Sequence, residues 1–238
     1  MTLTVCADAD ELAEAAAALF RDRLRARADL AMAVPAGRTP RRMYRLLETL
    51  QGRTPLDYTA MHVFSVDELC PPAPPDGYFW RQVRKEFLAW AAVPPGHCHP
   101  FRVDAPDLEL MCAEYEDAIT KLGGLDLVML GLGPNGHIAS NEPGSPFDSL
   151  TRPVRLLKET VEYILSDEII QGGVCDRAVT LGQATILGAR EVVVLVSGGA
   201  KRAALRKLLE GPITPEVPAS ILQRHANCTV IADREARP

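Results

Sequence analysis

The sequence predicts an α/β domain spanning residues 1–238, built on a mostly parallel, open sheet with helices on both faces. Two observations support this fold class. Short, almost entirely apolar runs alternate with segments of helical periodicity, and neither an internal repeat nor a long linker divides the 238 residues. Strands that are apolar on both faces are typical of a parallel sheet covered by helices on both sides. We therefore expect a single domain.

The N-terminal half contains three predicted strands, each followed by a predicted helix. Asp8 and Asp10 can cap the first helix, whose apolar positions recur at helical spacing. Thr39 can cap the second helix, because Pro40 then stands at its first helical position. The predicted strands are residues 2–6, 30–34 and 61–66, and the third helix is residues 78–90.

The C-terminal half continues the alternation. A helix at residues 108–122 ends at Gly123 and Gly124, since glycine is common just beyond a helix. A helical or mixed segment is predicted at residues 178–187, and Ile221 and Leu222 lie on a short helix. The remaining predicted elements are strands at residues 125–130, 192–196 and 229–231 and a helix at residues 201–209.

Composition and charge exclude several classes of function. The 26 basic and 31 acidic side chains give a net charge of −5, which does not favour nucleic acid or an anionic membrane as a partner. The longest apolar run, residues 192–200, is too short for a membrane helix. The N-terminus lacks the basic region of a signal peptide, so we expect a cytoplasmic protein without nucleic-acid or membrane partners.

Cysteine and histidine give little support to a metal site. The six cysteines are scattered without a CxxC pair, which is typical of reduced thiols. The tight cluster His97, Cys98 and His99 lies between prolines, and an irregular loop is the simpler interpretation. We predict no metal.

Unusual residues gather in the loops that follow predicted strands, where parallel sheets bind ligands. Two of these loops, residues 35–40 and 197–201, join a strand to a helix start. Backbone N–H groups and the helix dipole favour a phosphate there, so we call them the phosphate loops. The candidate phosphate-binding residues are Ala36, Gly37, Arg38, Thr39 and Lys201. The alternative is that the glycines merely allow tight turns.

The loop GLGPNG, residues 131–136, matches the letters of GxGxxG but not its context. Pro143 follows too soon for the long helix that a dinucleotide site requires, so the fold is predicted to be Rossmann-like without that site. His137 follows the loop, with Asn135 and Glu142 beside it, and a carboxylate can raise the basicity of a histidine for proton transfer. The alternative is a histidine that only hydrogen-bonds its own loop.

Asp67 follows another predicted strand and supports the catalytic interpretation of His137. A carboxylate at an apolar strand end is a reasonable general base once a substrate covers it.

Several spaced motifs resemble those of glucosamine-6-phosphate deaminases, whose superfamily also holds 6-phosphogluconolactonases. The segment from Gly131 to Ser145 is similar to GxGxDGHIAFNEPGS. PAGRTP, FSVDEL and PASILQRH resemble PTGxTP, FNMDEY and SxLQxH in the same order, and residues 178–205 resemble a further long motif. The resemblance extends over nearly the whole chain.

The resemblance implies a ring-opening, isomerising deamination of glucosamine 6-phosphate to fructose 6-phosphate and ammonia. His137 would protonate the ring oxygen, held by Glu142 and Asn135, and Asp67 would move a proton from C2 to C1. The family uses no metal or organic cofactor, and Gly133 and Lys201 would join the substrate site.

Two departures from the family pattern affect the expected site. Asn135 stands where deaminases often have aspartate, and an amide cannot offset the charge of a protonated imidazole, so His137 is expected to be less basic. The family's mobile lid, expected at residues 153–177, normally supplies an arginine to the phosphate. Residues 161–166 contain no arginine. Arg38 is the candidate replacement, and the exact amino sugar stays open.

Two alternatives and one further question stay open from the sequence. A 6-phosphogluconolactonase would use the histidine to assist attack of water on an ester, but the signature GHTASLFP lacks a glutamate at the position of Glu142. A sugar-phosphate-binding regulator would keep the pocket without the chemistry, although binding alone does not need Asp67 and His137 together. The sequence also leaves a homo-oligomer open.

Overall fold

Strands and helices alternate along the computed structural model, which describes residues 1–168, 170 and 172–238. The strands are β1 (Thr2–Cys6), β2 (Ala31–Val34), β3 (His62–Ser65), β4 (Asp67–Leu69), β5 (Cys98–His99), β6 (Leu127–Gly131), β7 (Arg152–Arg155), β8 (Arg177–Thr180), β9 (Glu191–Val196) and β10 (Cys228–Asp233). The helices are α1 (Ala9–Ala26), α2 (Arg38–Arg53), α3 (Phe79–Val83), α4 (Ala89–Ala91), α5 (Leu108–Lys121), α6 (Lys158–Leu165), α7 (Gln183–Leu187) and α8 (Arg202–Glu210).

Seven strands form the main sheet in the order β1-β10-β9-β6-β2-β3-β5, and all of their described pairings are parallel. After β1, which lies at one edge, the strands β3 and β5 follow β2 toward the other edge of the sheet. The later strands β9 and β10 follow β6 in the opposite direction. Strands β2 and β6 are therefore neighbours at the point where the direction reverses. Ligands of open α/β sheets bind in the crevice beyond the carboxyl ends of such strands.

Helices cover both faces of this sheet, as predicted. Along β9, Val192 and Val194 face a core that includes side chains of α5 and α8, whereas Val193 and Leu195 face a core that includes side chains of α1 and α2. All six residues of β9 are buried, which explains why the five that follow Glu191 are apolar on both faces. The predicted fold class is confirmed.

A second, three-stranded antiparallel sheet, β4-β8-β7, was not predicted. The segment 178–187, predicted as helical or mixed, divides into the end of β8 and the helix α7. In the register of this small sheet, Asp67 pairs with Thr180. The small sheet thus fixes the position of Asp67 beside the main sheet.

The helix starts predicted from capping residues agree only in part with the structure. Asp8 caps α1 by accepting hydrogen bonds from the N–H groups of Asp10 and Glu11, and Asp10 lies inside the helix. Helix α2 begins at Arg38, so Thr39 lies in its first turn rather than at the cap. The helix predicted at residues 78–90 is continuous from α3 to α4 through a π-helical turn, Arg84–Leu88.

Neither a membrane span nor a metal cluster is found among the described residues. None of their helices combines the length and apolarity needed to cross a bilayer. No group of three or more His, Cys, Asp or Glu side chains there is arranged to hold a metal ion. His97 and His99 instead contact His62: the ring of His97 stacks on that of His62, with 4.0 Å between centroids.

This histidine cluster makes stability depend on pH. Burial, together with His62 and His97, lowers the pKa of His99 to about 4, and burial also lowers the pKa of His62. The folded state therefore favours neutral rings, whereas the unfolded chain binds protons from about pH 6.5 downward. The contribution of these histidines to the free energy of unfolding is therefore present above pH 6.5 and is lost as the pH falls toward 4.

We expect His99→Phe, which keeps the ring that stacks on Phe64, to reduce this loss. The free energy of unfolding should fall between pH 6.5 and 4.5 by about 1 to 2 kcal/mol less than in the wild type, a figure discounted for partial exposure of the ring. Urea unfolding across this pH range measures the difference. Parallel pH profiles of the two proteins would contradict the assignment.

Candidate active site

A pocket opens beyond the carboxyl ends of β2 and β6, at the reversal point of the sheet. Its empty space, counted out to the open mouth, is about 930 Å³. Eight of the ten predicted site residues line it: Ala36, Gly37, Arg38, Thr39, Asp67, Gly133, His137 and Lys201. The other two, Asn135 and Glu142, contact His137 outside the lining.

Asp67 begins β4 and reaches the pocket with its carboxylate partly exposed. Burial raises the pKa of Asp67 to about 6, and a hydrogen bond from Ser140 opposes that rise. The Ser140 hydroxyl donates to Asp67 Oδ2 over 2.7 Å. The carboxylate is therefore a stronger base than an ordinary aspartate and is still mostly ionised at neutral pH.

His137 is held by its own loop, and Glu142 lies beside its imidazole. Its backbone N–H donates to Asn135 Oδ1 over 3.1 Å, and its Nδ1 lies 3.7 Å from Glu142 Oε2. The Asn135 amide donates to the same Glu142 oxygen over 2.9 Å. The N–H of Leu157 donates to Glu142 Oε1 over 3.2 Å. The Glu142 carboxylate is thus fixed beside the imidazole.

The imidazole of His137 packs directly against the backbone of Gly133. A Cβ atom at position 133 would lie 2.3 to 2.4 Å from three ring atoms, so glycine is required there. Burial lowers the pKa of His137 and Lys201 lowers it further, whereas Glu142 opposes the shift. The ring is therefore neutral at neutral pH, and its protonated form is a stronger acid than an ordinary imidazolium.

Two cationic side chains, Lys201 and Arg38, lie at the phosphate loops. Lys201 is only 8% exposed, and its Nζ lies 4.4 Å from the centre of the Tyr163 ring. Burial, with a smaller effect of Arg38, lowers the pKa of Lys201 to about 8. Lys201 and Arg38 both line the pocket and keep that wall positive at neutral pH.

The glycine N–H groups of these loops are less available than the sequence suggested. The N–H of Gly37 donates to Gln82 Oε1 over 2.8 Å, and the Gln82 amide donates back to the Gly37 carbonyl over 2.9 Å. The N–H of Gly198 donates to the carboxylate of Asp233. Gly37 therefore lines the pocket without offering its N–H as a free donor.

Helix α6 covers the pocket, within the segment 153–177 predicted as a lid. Tyr163 and Asp167 line the pocket from this side. Arg38 donates to the carbonyl and, over 2.8 Å, to the hydroxyl of Ser166, and its Nε lies 3.5 Å from Asp167 Oδ2. Residues 169 and 171 of the predicted lid lie outside the described residues, and the mobility of the lid stays a prediction.

Sequence reasoning missed Ser140, Gln82 and Tyr163. Ser140 stands inside the loop already singled out, but nothing local indicates that its hydroxyl meets a carboxylate 73 residues away. Gln82 is 4% exposed within a helix of ordinary pattern. Burial is what marks this amide, because buried polar groups require hydrogen-bond partners, and burial depends on the fold rather than on the local sequence.

Comparison with protein families and curated proteins identifies related chains. Residues 7–231 match the family model of glucosamine-6-phosphate isomerases/6-phosphogluconolactonase. The chain is 34% identical to glucosamine-6-phosphate deaminase 2 of Bacillus subtilis (strain 168), over 99% of this chain and 96% of that protein. It is 35% identical to the glucosamine-6-phosphate deaminase of Shouchella clausii (strain KSM-K16), over 95% of this chain and 92% of that protein.

Solved structures agree with these relatives. A monomeric glucosamine-6-phosphate deaminase superposes with a TM-score of 0.93 at 33% identity, covering 99% of this chain and 98% of its own. The 6-phosphogluconolactonase of Trypanosoma brucei, at 24% identity and a TM-score of 0.78, shares the fold. The chain therefore belongs to the glucosamine-6-phosphate isomerase/6-phosphogluconolactonase family.

Proposed function

We propose that this protein is an isomerising deaminase that converts glucosamine 6-phosphate and water to fructose 6-phosphate and ammonia. One observation carries the proposal: Asp67 and His137 face the same pocket, with Glu142 behind the imidazole, and the phosphate-loop wall of this pocket carries Arg38 and Lys201. The reaction needs a base, an acid and an anchor for a phosphorylated sugar, and these side chains supply all three.

Ring opening requires an acid at the ring oxygen. His137, neutral at neutral pH, takes the proton of the C1 hydroxyl and delivers a proton to the ring oxygen, and Glu142 stabilises the positive charge of the transient imidazolium across the 3.7 Å between Nδ1 and Oε2. The lowered pKa of His137 makes its protonated form the stronger acid. Asn135 holds Glu142 in place but adds no negative charge of its own.

Isomerisation then moves a proton from C2 to C1. The Asp67 carboxylate takes the proton from C2 of the open-chain sugar and delivers it to C1. The C1 oxygen gains a proton and the amino group loses one, which leaves a hydroxyl at C1 and an imine at C2. Water adds to this imine and ammonia leaves, so that the products are the ketose phosphate and ammonia. The raised pKa of Asp67 favours the proton abstraction.

Arg38 and Lys201 are the proposed phosphate ligands. The guanidinium of Arg38 has five N–H donors, of which the lid uses only some. The first-turn N–H groups of α2 at Arg38 and Thr39 add backbone donors, because the first N–H groups of a helix have no intrahelical partner. Arg38 thus replaces the lid arginine of the resembled family from the opposite wall of the pocket.

Arg38→Ala should raise KM for glucosamine 6-phosphate about tenfold or more and change kcat less, because a charge-assisted bond to the phosphate is lost. Arg42→Ala is the matched control. It removes an exposed arginine of the same helix, paired with Asp10 over 2.6 Å, and should leave KM unchanged. Steady-state kinetics measure both variants. A KM unchanged in Arg38→Ala would remove Arg38 from the phosphate site.

Glu142 and Asp67 favour the deaminase over the two alternatives. Hydrolysis of a lactone needs a histidine to activate water, but it needs no base at C2. A binding protein needs the cations, but it needs neither Asp67 nor the Glu142–Asn135 support of His137. The cytoplasmic location and the homo-oligomer stay predictions.

The proposed function is tested by assaying ammonia and ketose formation from a panel of 2-amino-2-deoxyhexose 6-phosphates, with 6-phosphogluconolactone as the competing substrate. Equal amounts of ammonia and fructose 6-phosphate from glucosamine 6-phosphate support it. Turnover of the lactone without ammonia from any amino sugar overturns it in favour of the lactonase. Tight binding without any turnover overturns it in favour of the regulator.

A further inference from the structure

The hydroxyl of Ser140 meets the carboxylate of Asp67 inside the pocket. Ser140 is 4% exposed and lines the same cavity as Asp67. Its Oγ lies 2.7 Å from Asp67 Oδ2, the length of a charge-assisted hydrogen bond between a hydroxyl and a carboxylate. The family signature that this loop resembles has phenylalanine where Ser140 stands, so the contact is a departure from that pattern.

The backbone fixes Ser140 at this place. Ala139 has a positive φ of 47°, a left-handed conformation that is uncommon for residues other than glycine. The N–H of Ser140 donates to Thr180 Oγ1 over 3.0 Å. Thr180 is also the residue that pairs with Asp67 between β8 and β4. Thr180 therefore holds the serine and the aspartate in one register.

We propose that Ser140 is a positioning residue for Asp67, which holds one carboxylate oxygen and leaves the other free to take the C2 proton. This inference rests on the proposed function, because it assigns the oxygen that does the chemistry. The hydrogen bond favours the ionised carboxylate over the neutral acid. Ser140 thereby keeps the base in its active form at lower pH.

Several charged side chains lie near Asp67, but its carboxylate accepts a hydrogen bond from the hydroxyl of Ser140. Arg38, His137, Asp167 and Lys201 line the same pocket. Glu68, the next residue along β4, turns the other way and accepts hydrogen bonds from the backbone N–H groups of Leu69, Tyr78, Phe79 and Trp80. Burial raises the pKa of Asp67 to about 6, and Ser140 provides the opposing effect.

The test compares the pH dependence of kcat in the wild type, Ser140→Ala and Ser140→Cys. The alanine removes the donor, and the cysteine keeps the shape with a weak donor. The acid limb should shift upward by about one pH unit in Ser140→Ala and by less in Ser140→Cys, with KM within about twofold because Ser140 is not a proposed phosphate ligand. An acid limb that stays at the wild-type position in Ser140→Ala, or that shifts further in Ser140→Cys than in Ser140→Ala, overturns the proposal.

A second measurement separates this inference from the proposed function. Titration of the Asp67 carboxyl carbon by ¹³C NMR, assigned with Asp67→Asn, reads its protonation without substrate. The pKa of Asp67 should be higher in Ser140→Ala than in the wild type, and equal values overturn the role of Ser140. A wild type that releases no ammonia overturns the proposed function alone, and the NMR titration still decides the role of Ser140.

Discussion

Asp67→Asn should lower kcat for ammonia release from glucosamine 6-phosphate by about 10³-fold or more, because proton transfer by a positioned group contributes roughly 10²- to 10⁴-fold and here occurs twice, at C2 and C1. The amide keeps the shape of the carboxylate but cannot accept the proton. KM should change little, since Asp67 is not a proposed phosphate ligand. Steady-state assays of ammonia and ketose measure both constants.

The fold should tolerate this substitution. The raised pKa of Asp67 means that burial makes the charged carboxylate less favourable than it is in the unfolded chain, so a neutral side chain is accepted there. Ser140 can donate to the amide oxygen as it does to Asp67 Oδ2. Asp176→Asn, which removes an exposed carboxylate paired with Arg155, is the matched control and should keep full activity. An Asp67→Asn enzyme with more than about a tenth of wild-type kcat would contradict the role of the base.

The pH dependence of kcat/KM in the wild type tests the role of Asp67 as the base independently. The base must be ionised, and the pKa of Asp67 is about 6, so kcat/KM should be highest near pH 7 and fall as the pH decreases through about 6. It should also fall as the pH rises through about 8, because Lys201, a proposed phosphate ligand with a pKa of about 8, then loses its charge.

His137→Gln should lower kcat by about 10²- to 10³-fold, because the general acid for ring opening is lost while Glu142 and Asn135 remain. Ring opening should then limit the rate, so the isotope effect measured with glucosamine 6-phosphate deuterated at C2 should fall toward unity. Competitive mass-spectrometric assays measure that isotope effect in both proteins.

His97→Gln provides the control, because this histidine lies in the separate cluster with His62. It should keep the wild-type rate and isotope effect. An isotope effect that increases in His137→Gln would assign the histidine to the proton transfer at C2 and contradict its role in ring opening.

The sequence predicts the fold and most of the pocket for a common physical reason. Buried strands such as β9 are apolar on both faces, and the loops that follow parallel strands share one edge of the sheet. Asp67, His137 and Lys201 were therefore expected together, and the structure places them around one pocket.

The contacts that could not be predicted join residues far apart along the chain. The Gln82 amide takes up the N–H of Gly37, a contact across 45 residues that local pattern does not indicate. The small sheet β4-β8-β7 depends on the antiparallel pairing of Asp67 with Thr180, and the positive φ of Ala139 that turns Ser140 toward Asp67 has no glycine to mark it. Such features depend on tertiary packing, which local propensity does not report.

The most direct test of the proposed site is the crystal structure of the protein with 2-amino-2-deoxyglucitol 6-phosphate, an open-chain analogue that cannot isomerise because C1 is an alcohol. We predict that its phosphate contacts Arg38 and Lys201, that Asp67 lies within about 3.5 Å of C1 and C2, and that His137 lies within hydrogen-bond distance of O5. An analogue bound with its phosphate away from both cations, or with Asp67 and His137 contacting different molecules, would contradict the proposal.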